Sequence, residues 1–182
     1  MRVIAGKYRT KRLKTPVGDR VRPTPDRIKE TVFNILYSMG KLMDCKVLDL
    51  FCGTGGLGIE ALSRGAVECV FVDIDKKSVA LTKENLAIIG EKAEVYHAEY
   101  KSAIPKLEGR KFDVIMLDPP FNMFKEGNVV DLIMQHDILE KDGVIMIEHS
   151  KENKLAGLSE EWDRDTRSCG NTNLTFLSRG GH

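Results

Sequence analysis

This chain has no apolar stretch approaching the roughly 18 residues that a membrane-spanning helix requires, so no helical membrane protein is expected. It also lacks the apolar core of a signal peptide near its start, which makes export unexpected and a cytoplasmic location the natural expectation. Its four cysteines (Cys45, Cys52, Cys69 and Cys169) show no C-x-x-C spacing, so neither a zinc knuckle nor a redox pair is indicated, and reduced thiols are expected. His97, His136, His149 and His182 share no ligand-like spacing, and no metal site is expected. No internal repeat or low-complexity run interrupts the chain.

What remains is 182 residues with 42% apolar composition, enough for one α/β domain and a short appendage. The net charge of +1 conceals an asymmetry: residues 1–30 carry ten Lys or Arg against only Asp19, Asp26 and Glu30, so the other 152 residues are net acidic. Arg2, Lys7, Arg9, Lys11, Arg12 and Lys14 all precede the first acid. A basic block on an acidic body suits contact with a polyanion, although a solvated tail has the same composition.

The first twenty residues alternate briefly around Val3-Ile4 and Leu13 between Gly6 and Gly18, a pattern compatible with a small hairpin. Thr24-Pro25 reads as a hydroxyl cap followed by proline at the first helical position, and Ile28, Val32, Ile35, Leu36 and Met39 continue at helical spacing until Gly40. Strands and helices then alternate. Strands are expected over 46–51, 68–73, 94–97, 112–117 and 144–148, and helices over 57–64, 77–89 and 129–136. Two final strands, 162–166 and 174–178, flank a turn at Gly170-Asn171. The pattern predicts a doubly wound α/β fold, a seven-stranded mostly parallel sheet with an antiparallel C-terminal strand, preceded by the small hairpin and helix.

"VLDLFCGTGGLGIEAL" sets Gly53, Gly55 and Gly58 between a strand and a helix in G-x-G-x-x-G spacing. Such a loop lets backbone approach a ligand at a helix N-terminus, and Asp73 at the end of the next strand is placed to hold a ribose diol. Both features suit NAD and S-adenosylmethionine alike. Asp49, four residues before Gly53, favours the second. It would repel a pyrophosphate but attract a ligand cationic at sulfur and at its α-amino group. The alternative is that Asp49 only accepts a structural hydrogen bond from the loop backbone. Glu99, beyond the third strand, could accept an adenine amine or simply begin a helix. The expected cofactor set is Asp49, Phe51, Gly53, Thr54, Gly55, Asp73, Ile74, Glu99 and Tyr100.

"LDPPFN" ends the fourth strand on Asp118, Pro119, Pro120 and Phe121, at the sheet end where open α/β folds bind ligands. The prolines stiffen the backbone, so a carboxylate and a carbonyl can be held as acceptors for a planar amine whose lone pair is otherwise delocalised. Phe121 offers a face for an extruded base. An unperturbed aspartate, with a pKa of about 3.9, would be a weak base here. Met116, Met134 and Met146 read as core filler, Phe33 as packing for the first helix, and Asn122–Asn128 as a loop.

Taken together, these segments resemble the RsmD-type class I methyltransferases, which methylate guanine N2 in small-subunit (16S) ribosomal RNA. "RVIAGKYRTKRLKTP" is similar to the family's basic N-terminal hairpin, "RPTPDRIKETVFNIL" to its helix entry, and "DLFCGTGGLGIEALSRGA" and "DPPF" to its cofactor and catalytic motifs. "DGVIMIEHS" and "RSCGNTNLTFL" resemble the later strands. The resemblance implies S-adenosylmethionine as cofactor, Asp118 to Phe121 around the base, and residues 1–24 as an RNA-contacting arm ahead of a 25–182 catalytic domain. Arg22 and Thr24 would lie at the site's mouth beside Arg2, Lys7, Arg9, Lys11, Arg12 and Lys14. The implied partner is 16S rRNA or a small-subunit assembly intermediate, met by a monomer. D-P-P-F motifs also serve amide methylation of protein glutamine, which stays an alternative, as do an NAD-dependent oxidoreductase and a non-catalytic RNA-binding module. Two positions depart from the family pattern: Cys169 stands where tyrosine is frequent, and Asp73 where glutamate is common, with Asp75 a second candidate for the ribose.

Overall fold

A computed structural model describes residues 1–16, 23–119, 129–155 and 157–180. The chain forms helix α1 (Asp26–Ser38), then β1 (Lys46–Asp49), α2 (Gly56–Ser63), β2 (Glu68–Asp73), α3 (Lys76–Ile89), β3 (Val95–His97), α4 (Tyr100–Lys106) and β4 (Phe112–Leu117). α5 (Val129–Gln135), β5 (Leu139–Ser150), β6 (Trp162–Cys169) and β7 (Thr172–Arg179) complete it. One seven-stranded sheet runs in the order β3-β2-β1-β4-β5-β7-β6. β1 to β5 are parallel, while β7 enters antiparallel between β5 and β6. The antiparallel C-terminal strand expected from the sequence is therefore the inserted one, and β6 forms the edge. Asp163, Arg164, Asp165 and Arg167 give that edge a charged, exposed character that discourages further strand pairing.

Strand residues alternate between two cores. Val47, Phe71, Val114, Met116, Val144, Met146 and Phe176 face α1, α2 and α3. Leu48, Val70, Ile115, Leu117, Ile145 and Ile147 face α4 and α5. This alternation is the period-two consequence of the pleat, and both faces are covered, as parallel sheets require. Phe33 is fully buried on the first face, as expected of it. Met116 and Met146 are fully buried, and Met134 packs half-buried against the second core.

Four features differ from the sequence reading. Thr24 does not cap α1: Pro25 occupies the cap position, and its carbonyl accepts from Ile28 N and Lys29 N at 3.0 and 3.1 Å. α4 is absent from the expected elements because it is short and carries Pro105 in its last turn, where proline removes a hydrogen bond to the carbonyl four residues before it. β5 begins five residues early, through the charged Glu140–Asp142 segment, across a register shift opposite Phe112 and Val114. The two final strands are also longer than the apolar residues alone suggest.

The N-terminal segment is closed like a hairpin by one antiparallel bridge, Arg2 to Arg12, with Val3 N donating to Lys11 O and Leu13 N to Met1 O. It is docked on α2. Val3 and Leu13 enter the main core, and Glu60 accepts from Ile4 N and Ala5 N at 2.9 and 3.0 Å. Gly6 (φ +83°) allows the contact, since a Cβ there would lie 1.8 Å from the Ser63 carbonyl oxygen. No helix among the described residues is long and apolar enough to cross a membrane.

Candidate active site

The sheet's strand order reverses between β1 and β4, and the C-terminal ends of these strands open into a cleft of about 1740 Å³. Its described walls include Asp49, Phe51, Gly53 and Thr54 from β1 and its loop, Asp73 to Asp75 after β2, and Asp118 and Pro119 after β4. Glu148 to Ser150 and Thr172 complete the far side. The volume exceeds that of a pocket for one drug-sized ligand, leaving room for a cofactor and a flat ring together.

The glycine loop has the geometry its spacing implies. Gly55 is left-handed (φ +78°) at the N-cap of α2, and Gly55 N closes the turn on Cys52 O at 2.7 Å. Gly55 itself faces Thr82 of α3, so it shapes the loop without lining the cleft. Gly58 brings helix and sheet together: a Cβ there would meet Phe71 Cε1 at 2.3 Å. Thr54 lines the cleft, with its hydroxyl turned toward the Met1 sulfur.

Asp49 is buried and performs both roles considered for it. Its Oδ2 accepts from Gly58 N at 2.9 Å, and its carboxyl floors the cleft. Burial first, and the Asp118 and Asp73 carboxylates next, push its pKa up to about 7 against the opposing Gly58 bond. Asp73 accepts from Gly53 N and Asp75 N, both at 2.8 Å, and so ties the loop after β1 to the end of β2. Asp75 is instead the N-cap of α3, accepting from Ser78 N and Ser78 Oγ. Both line the cleft, but only Asp73 is free of the helix cap. Ile74, 66% exposed, presents an apolar side chain beside it.

Two more of the expected cofactor residues, besides Gly55, lie outside the cleft wall. Tyr100 is buried in the core under α4, its ring 5.8 Å from that of Phe51, because the short helix turns it toward the sheet. It supports Phe51 from beneath and does not line the cleft. Glu99 is exposed at the N-cap position of α4, outside the cleft wall, and its side chain makes no cap bond.

Asp118 is half-buried, and burial raises its pKa to about 6, above the ordinary value expected from the sequence. Pro119 is buried beside it. Pro120, Phe121 and Asn122–Asn128 lie outside the described residues, as does Arg22. The sequence reading overlooks Glu148. It follows Ile147, the register partner of Leu117, and so stands beside Asp118. Its Oε2 is buried without a hydrogen-bond partner among the described residues. Burial, then the Asp118 charge, push its pKa up to about 8, with Thr172 pulling the other way.

The basic segment divides in two. Arg2 pairs with Asp26 at 3.0 Å, Lys7 with Glu91 at 2.6 Å and Lys14 with Glu84 at 2.7 Å. Arg9, Lys11 and Arg12 are exposed and have no charged partner among the described residues. Lys14 and Thr24 reach the rim of the cleft. The described residues contain no cluster of metal-ligating side chains.

A family model described as conserved hypothetical protein 95 matches residues 1–178. The chain belongs to this family. It is the RsmD-type group that the motifs resemble. Ribosomal RNA small subunit methyltransferase D of Haemophilus influenzae is 34% identical over 166 residues, covering 89% of this chain and 84% of the relative. The Escherichia coli K12 protein of the same name is 31% identical over 163 residues, covering 89% and 81%. A solved structure of a putative methyltransferase from Escherichia coli superposes with a TM-score of 0.86 at 30% identity, covering 98% of this chain and 97% of that one.

Proposed function

We propose that this protein transfers a methyl group from S-adenosylmethionine to the exocyclic N2 amine of a guanosine in 16S ribosomal RNA. One observation carries the reading. Asp118 stands at the end of the strand next to the glycine-loop strand, on the same sheet face as Asp49, with the cleft above both. Asp49 pairs in register with Met116, two residues before Asp118, and residues two apart share a face. The names of the relatives support ribosomal RNA as the acceptor over a protein amide.

The residues present fit the cofactor. A buried carboxyl raised to about 7 by burial and by other carboxylates favours a cationic ligand, as the sulfonium and ammonium of S-adenosylmethionine are, and disfavours the pyrophosphate of NAD. Asp73 would hold the ribose diol, Ile74 would pack against the adenine, and the Gly53 region would let backbone approach the methionine part. When bound, the cofactor supplies an electrophilic methyl group. Asp118 accepts an N–H of the acceptor amine and, with a carbonyl of the proline pair, draws that nitrogen from planarity so that its lone pair points at the donor. The methylated nitrogen is acidic, and Asp118 relays its proton toward solvent. Phe121 stacks the extruded base. Residues 1–24 form the RNA-contacting segment, with Arg9, Lys11, Arg12 and Arg22 meeting phosphates and Thr24 at the cleft mouth.

Nucleoside mass spectrometry of 16S rRNA from cells with and without the gene tests this reading. Loss of one N2-methylguanosine on deletion is expected, and an unchanged level refutes it. Calorimetry adds the cofactor arm: S-adenosylhomocysteine should bind and NADH should not.

A further inference from the structure

The sheet register places three carboxyl groups on one face of adjacent strands, Asp118 level with Glu148 and Asp49 two residues short of them. Asp49 pairs with Met116, and Met116 with Met146; Asp118 and Glu148 each lie two residues beyond those methionines. All three therefore share the face that meets α1, α2 and α3, at the ends of adjacent strands spaced about 4.8 Å apart. Asp49 has a donor in Gly58 N. Glu148 Oε2 has none among the described residues, although it is buried and its residue lines the cleft. The Thr172 hydroxyl lies near enough to the Glu148 carboxyl to oppose the rise in its pKa, but it donates to the His149 carbonyl at 2.8 Å and leaves Oε2 without a donor among the described residues. A buried acceptor left without a donor is costly, and a ligand that supplies the donor removes that cost.

We propose that Glu148 is a specificity-determining residue that accepts the N1–H of the guanine whose N2 amine lies at Asp118. The inference rests on the guanine-N2 reading above and identifies how the base is chosen. On guanine, N1–H and the N2 amine are neighbouring donors on one edge, and two carboxyl groups on neighbouring strands can take one each. Adenine and cytosine present a ring-nitrogen lone pair beside their amines and so cannot supply the donor that Oε2 lacks. Acceptance through Oε2 does not require ionisation, because a carboxyl keeps a carbonyl-type oxygen in either protonation state.

The test compares two RNAs, identical except that the guanosine methylated by the wild-type protein is replaced in one by 2-aminopurine riboside. That analogue keeps the 2-amine and lacks the N1–H. Wild type should prefer guanosine in kcat/KM by roughly 100-fold or more, as sites that hydrogen-bond a substrate donor do. Glu148→Ala should bring the ratio to within about tenfold, mainly by loss on guanosine, while Glu148→Gln, which keeps an acceptor of the same shape, retains most of the preference. A general structural defect would lower both substrates together and leave the ratio unchanged. An unchanged ratio in Glu148→Ala overturns the inference alone. No N2 methylation of guanosine by the wild type overturns both the functional reading and this one.

Discussion

Two groups of buried charges sit on the same side of the sheet and are built on opposite principles. Under the N-terminal segment, Lys29 and Glu60 are both fully buried, 3.8 Å apart, and each has further hydrogen-bond or charge partners. Arg64 reaches Glu60 at 2.8 Å, Asp26 lies 3.7 Å from Lys29, Lys29 Nζ donates to the Arg2 carbonyl, and two backbone N–H groups fill the rest of Glu60. At the cleft, Asp49, Asp118 and Glu148 stand together, and burial raises the pKa of all three. The first group is satisfied internally and fixes where the N-terminal segment lies. The second leaves its charge to be balanced from outside, which is what a site for a cationic cofactor and an N–H-rich base edge requires.

Substitutions should separate the two groups. Glu60→Ala leaves Lys29 buried without its main counter-charge, so a loss of about 3–5 kcal/mol is expected, read as a fall in Tm of about 10 °C or more. A Tm within a few degrees of wild type would show that the paired group is not structural. Asp118→Ala should do the reverse. Turnover should fall by about 10²–10³-fold or more, while Tm and S-adenosylhomocysteine affinity stay close to wild type. Retained turnover would remove Asp118 from its assigned role.

The pH dependence of stability distinguishes them again. A carboxyl whose folded pKa is raised favours folding in its protonated form. Its contribution is fully present below the ordinary pKa and is lost as pH rises toward the folded value, here about 8 for Glu148. Without added ligand, the protein should therefore lose stability between about pH 5 and pH 8. Glu148→Gln should flatten that decline, gaining on the order of 1–3 kcal/mol over wild type at the upper end. Denaturant titrations at the two pH values read the difference directly, and parallel curves would count against it. The smallest effect concerns the arm. Replacing Arg9, Lys11 and Arg12 by alanine should weaken RNA binding about tenfold and reduce the salt slope by about 2–3. Lys7→Ala should change the slope less, because Lys7 is held by Glu91.

Parts of the site that lie within one local segment could be read from the sequence. Asp49, the glycine loop, Asp73 and Asp118 each sit at the end of a predicted strand, where side-chain type and position define a role together. Glu148 has no such marker. A lone acid in "IMIEHS" becomes informative only when the β4–β5 register places it beside Asp118. Tyr100 is misplaced for a related reason, since the helix that turns its ring inward is too short and too near Pro105 to announce itself. The charge count of the first thirty residues identifies a basic block but not its division, because Asp26, Glu84 and Glu91 approach it only after folding.

The sequence by itself determined the order of elements, the two-faced burial of the sheet and the strand ends at which ligands would be met, since periodicity and turn chemistry act over a few residues. Tertiary structure alone decided which charges are neighbours: strand register and helix docking join residues as far apart as Ile4 and Glu60, or Asp49 and Asp118. Whether a buried charge is structural or free for a ligand depends on those neighbours, and no local pattern carries that information.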